Sequence, residues 1–356
     1  MGRYINVTKK LVLLFSIFTL INSCAQKGNM LTSGLMFNIS SYRSSFFFVP
    51  NKLTDTLYMA PSYANPNTFT ENEVKIQTGN WELPGTLTIP KGNGPFNVIL
   101  LIHGAGPNDR DESIGANKPF KDIAWGLAAK NIATLRYDKR TKVYAEQMSM
   151  IHNGFTVKEE IIDDVIAGVS LLKNYKNLNK IFILGHDLGG MLCPRIVQAN
   201  ENIDGLIIMG GNSRPLEDVL LEQSKNINSD TDNDLIKTQV ENVKSLSPET
   251  HASLLPYDIP AKYWLDLKNY NPAFVAQSLT KPIFIIHGGN DMQVTNEDFQ
   301  GWEKYLGNKE NATLKTYPGL NHIFLEKGSD SDDYMNPAHV EVNVISDIAD
   351  WILLKK

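Results

Sequence analysis

Residues 181–190 read Ile-Phe-Ile-Leu-Gly-His-Asp-Leu-Gly-Gly. The first four form a short apolar strand, and residues 189–199 carry a helical pattern. A strand that passes through Gly-x-Asp-x-Gly into a helix is the setting of a nucleophile elbow. Such a turn holds a reactive side chain at a strand end, here Asp187. Small residues two positions before and after let the neighbouring backbone approach. The helix N-terminus behind the turn favours negative charge. A glycine-rich turn without chemistry can share this hexapeptide, so the surrounding segments must decide.

Working outward, apolar strands are expected at 97–102, 132–137, 205–209, 282–286 and 312–317. Helical patterns alternate with them at 119–130, 157–175, 189–199, 296–306 and 338–354. This alternation predicts a doubly wound, mostly parallel α/β sheet. Residues 73–78 and 85–90, separated by Gly79 and Pro84, predict an edge hairpin. Residues 212–280 break the rhythm. They are polar, with short helical patterns at 216–226 and 233–244, which predicts a helical cap over the strand ends.

Three further motifs sit at strand ends. His103-Gly104-Ala105-Gly106-Pro107 follows the strand 97–102 and can supply an oxyanion hole, with Ala105 N–H and Leu188 N–H as donors. Gly288-Gly289-Asn290-Asp291 follows the strand 282–286, and Asn321-His322 follows 312–317. Alone, each is an ordinary turn. Together they give the order nucleophile, acid, histidine: Asp187, Asp291, His322.

Composition bounds the rest. The chain has 356 residues, 42% apolar, and a net charge of −5 without basic runs, which argues for a globular body and against a nucleic-acid partner. Two cysteines make no disulfide framework. There is no phosphate-binding glycine fingerprint or metal-binding His pair, so no cofactor or metal is expected, and the partner is a small-molecule substrate. Residues 1–26 form an export signal, with Arg3, Lys9 and Lys10 before the apolar run Leu11–Ile21. Either Ile21-Asn22-Ser23-Cys24 is a lipobox with Cys24 lipidated, or cleavage after Ala25 starts the chain at Gln26. The protein is therefore expected outside the cytoplasm, periplasmic or membrane-anchored through Cys24 alone. Residues 27–72 are expected to be a lead-in, with the main domain at 73–356.

The segments 103–141, GHDLGGMLCPRI (185–196), GGNDMQVTNEDF (288–299) and YPGLNHIF (317–324) resemble the α/β-hydrolase superfamily. They are most similar to its exported esterase-like branch, related to dienelactone hydrolases and serine aminopeptidases. The resemblance covers about 280 residues. It implies Asp291 as acid, His322 as base, Ala105 and Leu188 as oxyanion donors, a cap at about 212–280, and hydrolysis of carboxylic esters or related acyl substrates.

One position departs: the esterase branch carries Ser where this chain has Asp187. A carboxylate needs no deprotonation, but its attack on an ester gives a mixed anhydride and needs a good leaving group. It is better suited to sp³ carbon, as in the related epoxide hydrolases and haloalkane dehalogenases, where an alkyl-enzyme ester is then hydrolysed. Tyr257, Tyr263 and Tyr270 in the cap are candidates to protonate an opening epoxide. A non-catalytic binding protein that keeps the pocket is the third alternative. Tyr263 and Trp264 are candidates to line the pocket. His186 and His287 are expected to be structural, Asp138-Lys139-Arg140 a structural turn, and Cys193 a small core residue. The charged loop Asp109–Glu112 is expected chiefly to form surface ion pairs.

Overall fold

In a computed structural model, residues 58–151, 154–224, 230–326, 334 and 336–355 are described. The expected export signal, Cys24 and most of the expected lead-in lie outside them. The described chain forms one eight-stranded sheet: β1 Phe69–Thr78, β2 Trp81–Pro90, β3 Phe96–Ile102, β4 Ile132–Tyr137, β5 Leu178–His186, β6 Gly205–Met209, β7 Ile283–Gly288 and β8 Ala312–Tyr317. The order is β1-β2-β4-β3-β5-β6-β7-β8. The β1–β2 and β2–β4 pairs are antiparallel, and the remaining pairs are parallel.

Period-2 side-chain alternation explains why β3 is apolar throughout. Val98, Leu100 and Ile102 enter the core on one face, and Ile99 and Leu101 enter the core on the other. The terminal helix Val342–Leu354 places Val344, Ile345, Ile348 and Ile352 in the second core. Each such side chain contributes about 1.5–3 kcal/mol on burial.

The body starts ahead of the expected boundary at 73. Strand β1 begins at Phe69, where it pairs with Pro90 at the far end of β2. The Tyr58 hydroxyl donates to buried Asp122 at 2.7 Å, and that of Tyr63 donates to the Val340 carbonyl at 2.7 Å. Residues 58–72 therefore pack on the same body.

Between β6 and β7 the chain runs through helices Leu216–Ser224, Asp230–Lys244, Ala261–Leu267 and Pro272–Gln277. This helical insertion has a small core of its own, including Leu220, Val240, Val243, Leu255 and Trp264. Arg214 pins its entrance to the buried Asp298. No helix among the described residues is long and apolar enough to cross a membrane.

Candidate active site

Asp187 occupies the turn between β5 and the helix Leu188–Ala199, with φ 49° and ψ −118°. A non-glycine residue at positive φ stores about 1–3 kcal/mol of strain and persists only where its surroundings enforce it. Here the enforcement is close packing. A Cβ at Gly185 would collide with the Gly189 backbone and Cys193 Sγ, and one at Gly189 would collide with the carbonyls of Ile102 and His103. The turn is thus pressed against the end of β3, where the 103–106 loop begins.

That loop meets the Asp187 carboxylate. Ala105 N–H donates to Asp187 Oδ2 at 3.0 Å. A Cβ on Gly104 would sit 2.8 Å from the same oxygen, so glycine permits the approach. Leu188 opens the helix, where first-turn N–H groups have no intrahelical acceptor.

The acid–base pair stands on neighbouring strand ends. His322 Nδ1 lies 2.7 Å from Asp291 Oδ2, with both residues buried. The other oxygen, Oδ1, accepts from Gln293 N at 2.8 Å and Val294 N at 2.9 Å. A carboxylate only accepts, so Nδ1 carries the proton and Nε2 keeps the basic lone pair. Gly210, at the end of β6 with φ +55°, lies against this pair.

His186 links the two halves. Its Nε2 lies 3.1 Å from the His322 carbonyl oxygen, and its Nδ1 makes an ion-pair contact of 2.9 Å with Glu112 Oε2. Glu112 Oε1 in turn accepts from Gly104 N–H at 2.6 Å. Burial by itself would lower the His186 pKa, but the Glu112 charge overrides it and lifts it to about 9. Burial works equally against ionised Glu112, whose pKa is nonetheless lowered by His186. The raised pKa favours an imidazolium, whose Nε2 donates to the His322 carbonyl while Nδ1 faces the Glu112 carboxylate. The charged loop divides: Arg110 makes the expected surface ion pairs, with Glu73 and Asp138, whereas Asp111 and Glu112 are buried and Glu112 turns inward to face His186 and accept from Gly104 N–H.

A cleft lies over Asp187, enclosing about 500 Å³ of atom-free space including its open mouth. Ala105 and Leu188 form its floor, and Leu216, Val219, Leu220 and Ile259 line it with Tyr257, Tyr263 and Trp264. Asn212 and Gln223, which sequence reasoning did not single out, add the polar contacts. Tyr270 is elsewhere, donating to the Met191 carbonyl at 2.8 Å. His287 is buried and stacks on Phe299, and Cys193 is a buried free thiol. No cluster of three or more potential metal ligands lies among the described residues.

With this geometry in hand, relatives become informative. Esterase EstD of Thermotoga maritima is 39% identical over 307 residues, covering 84% of this chain and 71% of its own length. The chain belongs to the same esterase family, within the α/β-hydrolase superfamily. The Dienelactone hydrolase family matches residues 248–351. Among solved structures, Est1E from Butyrivibrio proteoclasticus superposes with TM-score 0.53 at 18% identity, covering 80% of this chain and 98% of its own. An esterase of Pyrococcus furiosus gives 0.51 at 17%, covering 82% and 93%. At such low identity these two speak to the fold alone. This α/β-hydrolase is an esterase-like enzyme.

Proposed function

We propose that this hydrolase cleaves neutral carboxylic esters with compact apolar groups and good leaving groups, using Asp187, His322 and Asp291. One observation carries the reading. The carboxylate, the anion-binding loop and the floor of an otherwise uncharged cleft coincide, because Asp187 is the only charged side chain among the lining residues. A substrate carboxylate would face Asp187 without a cation to offset it.

Asp187 Oδ1 attacks the acyl carbon and the alkoxide or phenolate departs, leaving a mixed anhydride. His322 Nε2 then takes a proton from water, whose oxygen opens the anhydride and restores the carboxylate. Asp291 orients the ring and balances the imidazolium, which then gives its proton to the alkoxide or phenolate and is base again. The sum is ester plus water to acid plus alcohol.

A second reading is favoured by a specific contact. Ala105 N–H already holds Asp187 Oδ2, the oxygen that would become the oxyanion if water attacked an ester of Asp187 itself. That suits displacement at sp³ carbon followed by hydrolysis of the alkyl-enzyme ester. The hydroxyls of Tyr263 and Tyr270 are committed to Glu160 and to Met191. A halide leaves without a proton and needs no such donor, whereas an epoxide would call on Tyr257, the other cap tyrosine of the cleft wall.

The test is turnover of short nitrophenyl esters beside a panel of alkyl halides and epoxides, with single turnover in H₂¹⁸O. Ester cleavage with multiple turnovers supports the first reading. Label in Asp187 during halide turnover, with inert esters, transfers the assignment to the second. Saturable binding with every ligand returned unchanged overturns both and leaves a binding protein.

A further inference from the structure

The turn at Asp138-Lys139-Arg140 holds a cation that the reaction described so far does not use. Lys139 is buried, and its ammonium donates to the Gly104 carbonyl at 3.0 Å. The same ammonium lies 2.7 Å from Glu160 Oε1, also buried. Glu160 Oε2 accepts from the Tyr263 hydroxyl at 2.8 Å, and Tyr263 lines the cleft. Burial and the Glu160 charge keep that phenol protonated. Glu160 itself sits in a π-turn, Lys158–Ile162, an irregularity that recurs at functional sites.

The position of the carbonyl gives this chain its meaning. Gly104 C=O and Ala105 N–H are two ends of one planar peptide group, so fixing one aims the other. A cation on the carbonyl oxygen also draws density through the peptide and strengthens the N–H as a donor. Asn108 Nδ2, at 3.2 Å from the same oxygen, adds only a neutral donor.

We propose that Lys139 is a positioning residue of the anion-binding peptide, with its ammonium orienting and polarising Gly104–Ala105 while Glu160 and Tyr263 tie it to the cleft wall. This rests on reading Ala105 N–H as the donor to charge that develops in the proposed reaction. Lys139 touches no reacting atom. Its effect belongs in kcat rather than KM.

The test uses the double variant Lys139→Met with Glu160→Gln, which removes both buried charges together, in the full chain. Nitrophenyl ester kcat should fall about tenfold or more, less than complete loss of an oxyanion donor costs, with KM within about twofold. In protein labelled with ¹⁵N-alanine, the Ala105 amide proton should move upfield as its hydrogen bond weakens. Lys139→Arg, which keeps the charge, should recover part of both. A folded double variant with kcat and the Ala105 signal unchanged overturns the proposal, as does a kcat loss with that signal unmoved. If the wild-type chain turns over no ester, the functional reading fails separately, and the Ala105 shift alone decides the role of Lys139. If the double variant does not fold, Tyr263→Phe keeps both charges and must still move the signal upfield by a smaller amount. An unmoved signal there also overturns the proposal.

Discussion

The two halves of the site are held in place by different means. Around His322, the Asp291 carboxylate is fixed by two backbone N–H groups only two and three residues along the chain. Around Ala105, position is fixed by buried charged side chains: Glu112, from later in the same loop, on Gly104 N–H, and Lys139, from beyond the next strand, on Gly104 C=O. The Asp291 carboxylate is thus held by its own turn, and His322 meets the other half through the His186 ring at its carbonyl. The anion half depends on two buried ion pairs, Glu112–His186 and Lys139–Glu160, each costly to form and costlier to break singly. The contrast teaches that the anion half should respond to pH through His186 and to the loss of any one buried charged partner.

Removing the base tests the local half first. His322→Ala should lower kcat about 10³-fold for either substrate class, because both routes need a base to activate water. Steady-state kinetics with unchanged thermal unfolding would check this, and retained turnover would break the comparison by removing the base half from the chemistry.

The next effect concerns stability. His186 is raised from 6.5 to about 9 on folding, so its contribution is complete below pH 6.5 and fades as pH rises through 9. Unfolding free energy should fall by on the order of 3 kcal/mol across that window. Denaturant melts at stepped pH would show it, and Glu112→Gln should flatten the slope. A wild-type stability that does not change from pH 6.5 to 9 would mean that the anion half does not rely on this ion pair.

Asp187→Ser addresses the centre of the comparison. It replaces a carboxylate that occupies the Ala105 N–H with a hydroxyl that frees it. Ester kcat should rise about 10²-fold, with a burst of nitrophenol as a stable acyl-enzyme replaces an anhydride. A fall instead would show that the carboxylate is the better acyl nucleophile in this site. Smallest is the cleft wall: Trp264→Ala should raise KM for apolar esters about tenfold through lost burial, with kcat less affected. Equal KM values across acyl lengths in both proteins would place the acyl group elsewhere.

Much of this was legible in the chain. The alternation of strand and helix gave the sheet, and the glycine-flanked Asp187, Asp291 and His322 appeared at strand ends because local turn chemistry writes itself into neighbouring residues. Lys139 and Glu112 stand in the sequence only as parts of charged stretches, one with the pattern of a structural turn and the other with that of a surface loop. The sequence neighbours of Glu112 do not show that it turns inward, since its partners are His186 and Gly104. The start of the body was also hidden, because Tyr58 and Tyr63 find their acceptors at Asp122 and Val340, far along the chain.

The sequence by itself determined the superfamily, the strand-end placement of the three candidate catalytic residues and the Asp at the elbow, since each is a matter of short-range pattern. Only the tertiary structure decided that the Asp187 carboxylate accepts from Ala105 N–H, and that two buried ion pairs hold the loop around it. Those contacts join residues such as Ala105 and Asp187, or Lys139 and Glu160, through packing across the sheet ends. Burial is what gives them their strength, because a charge removed from water must be paired where it lies.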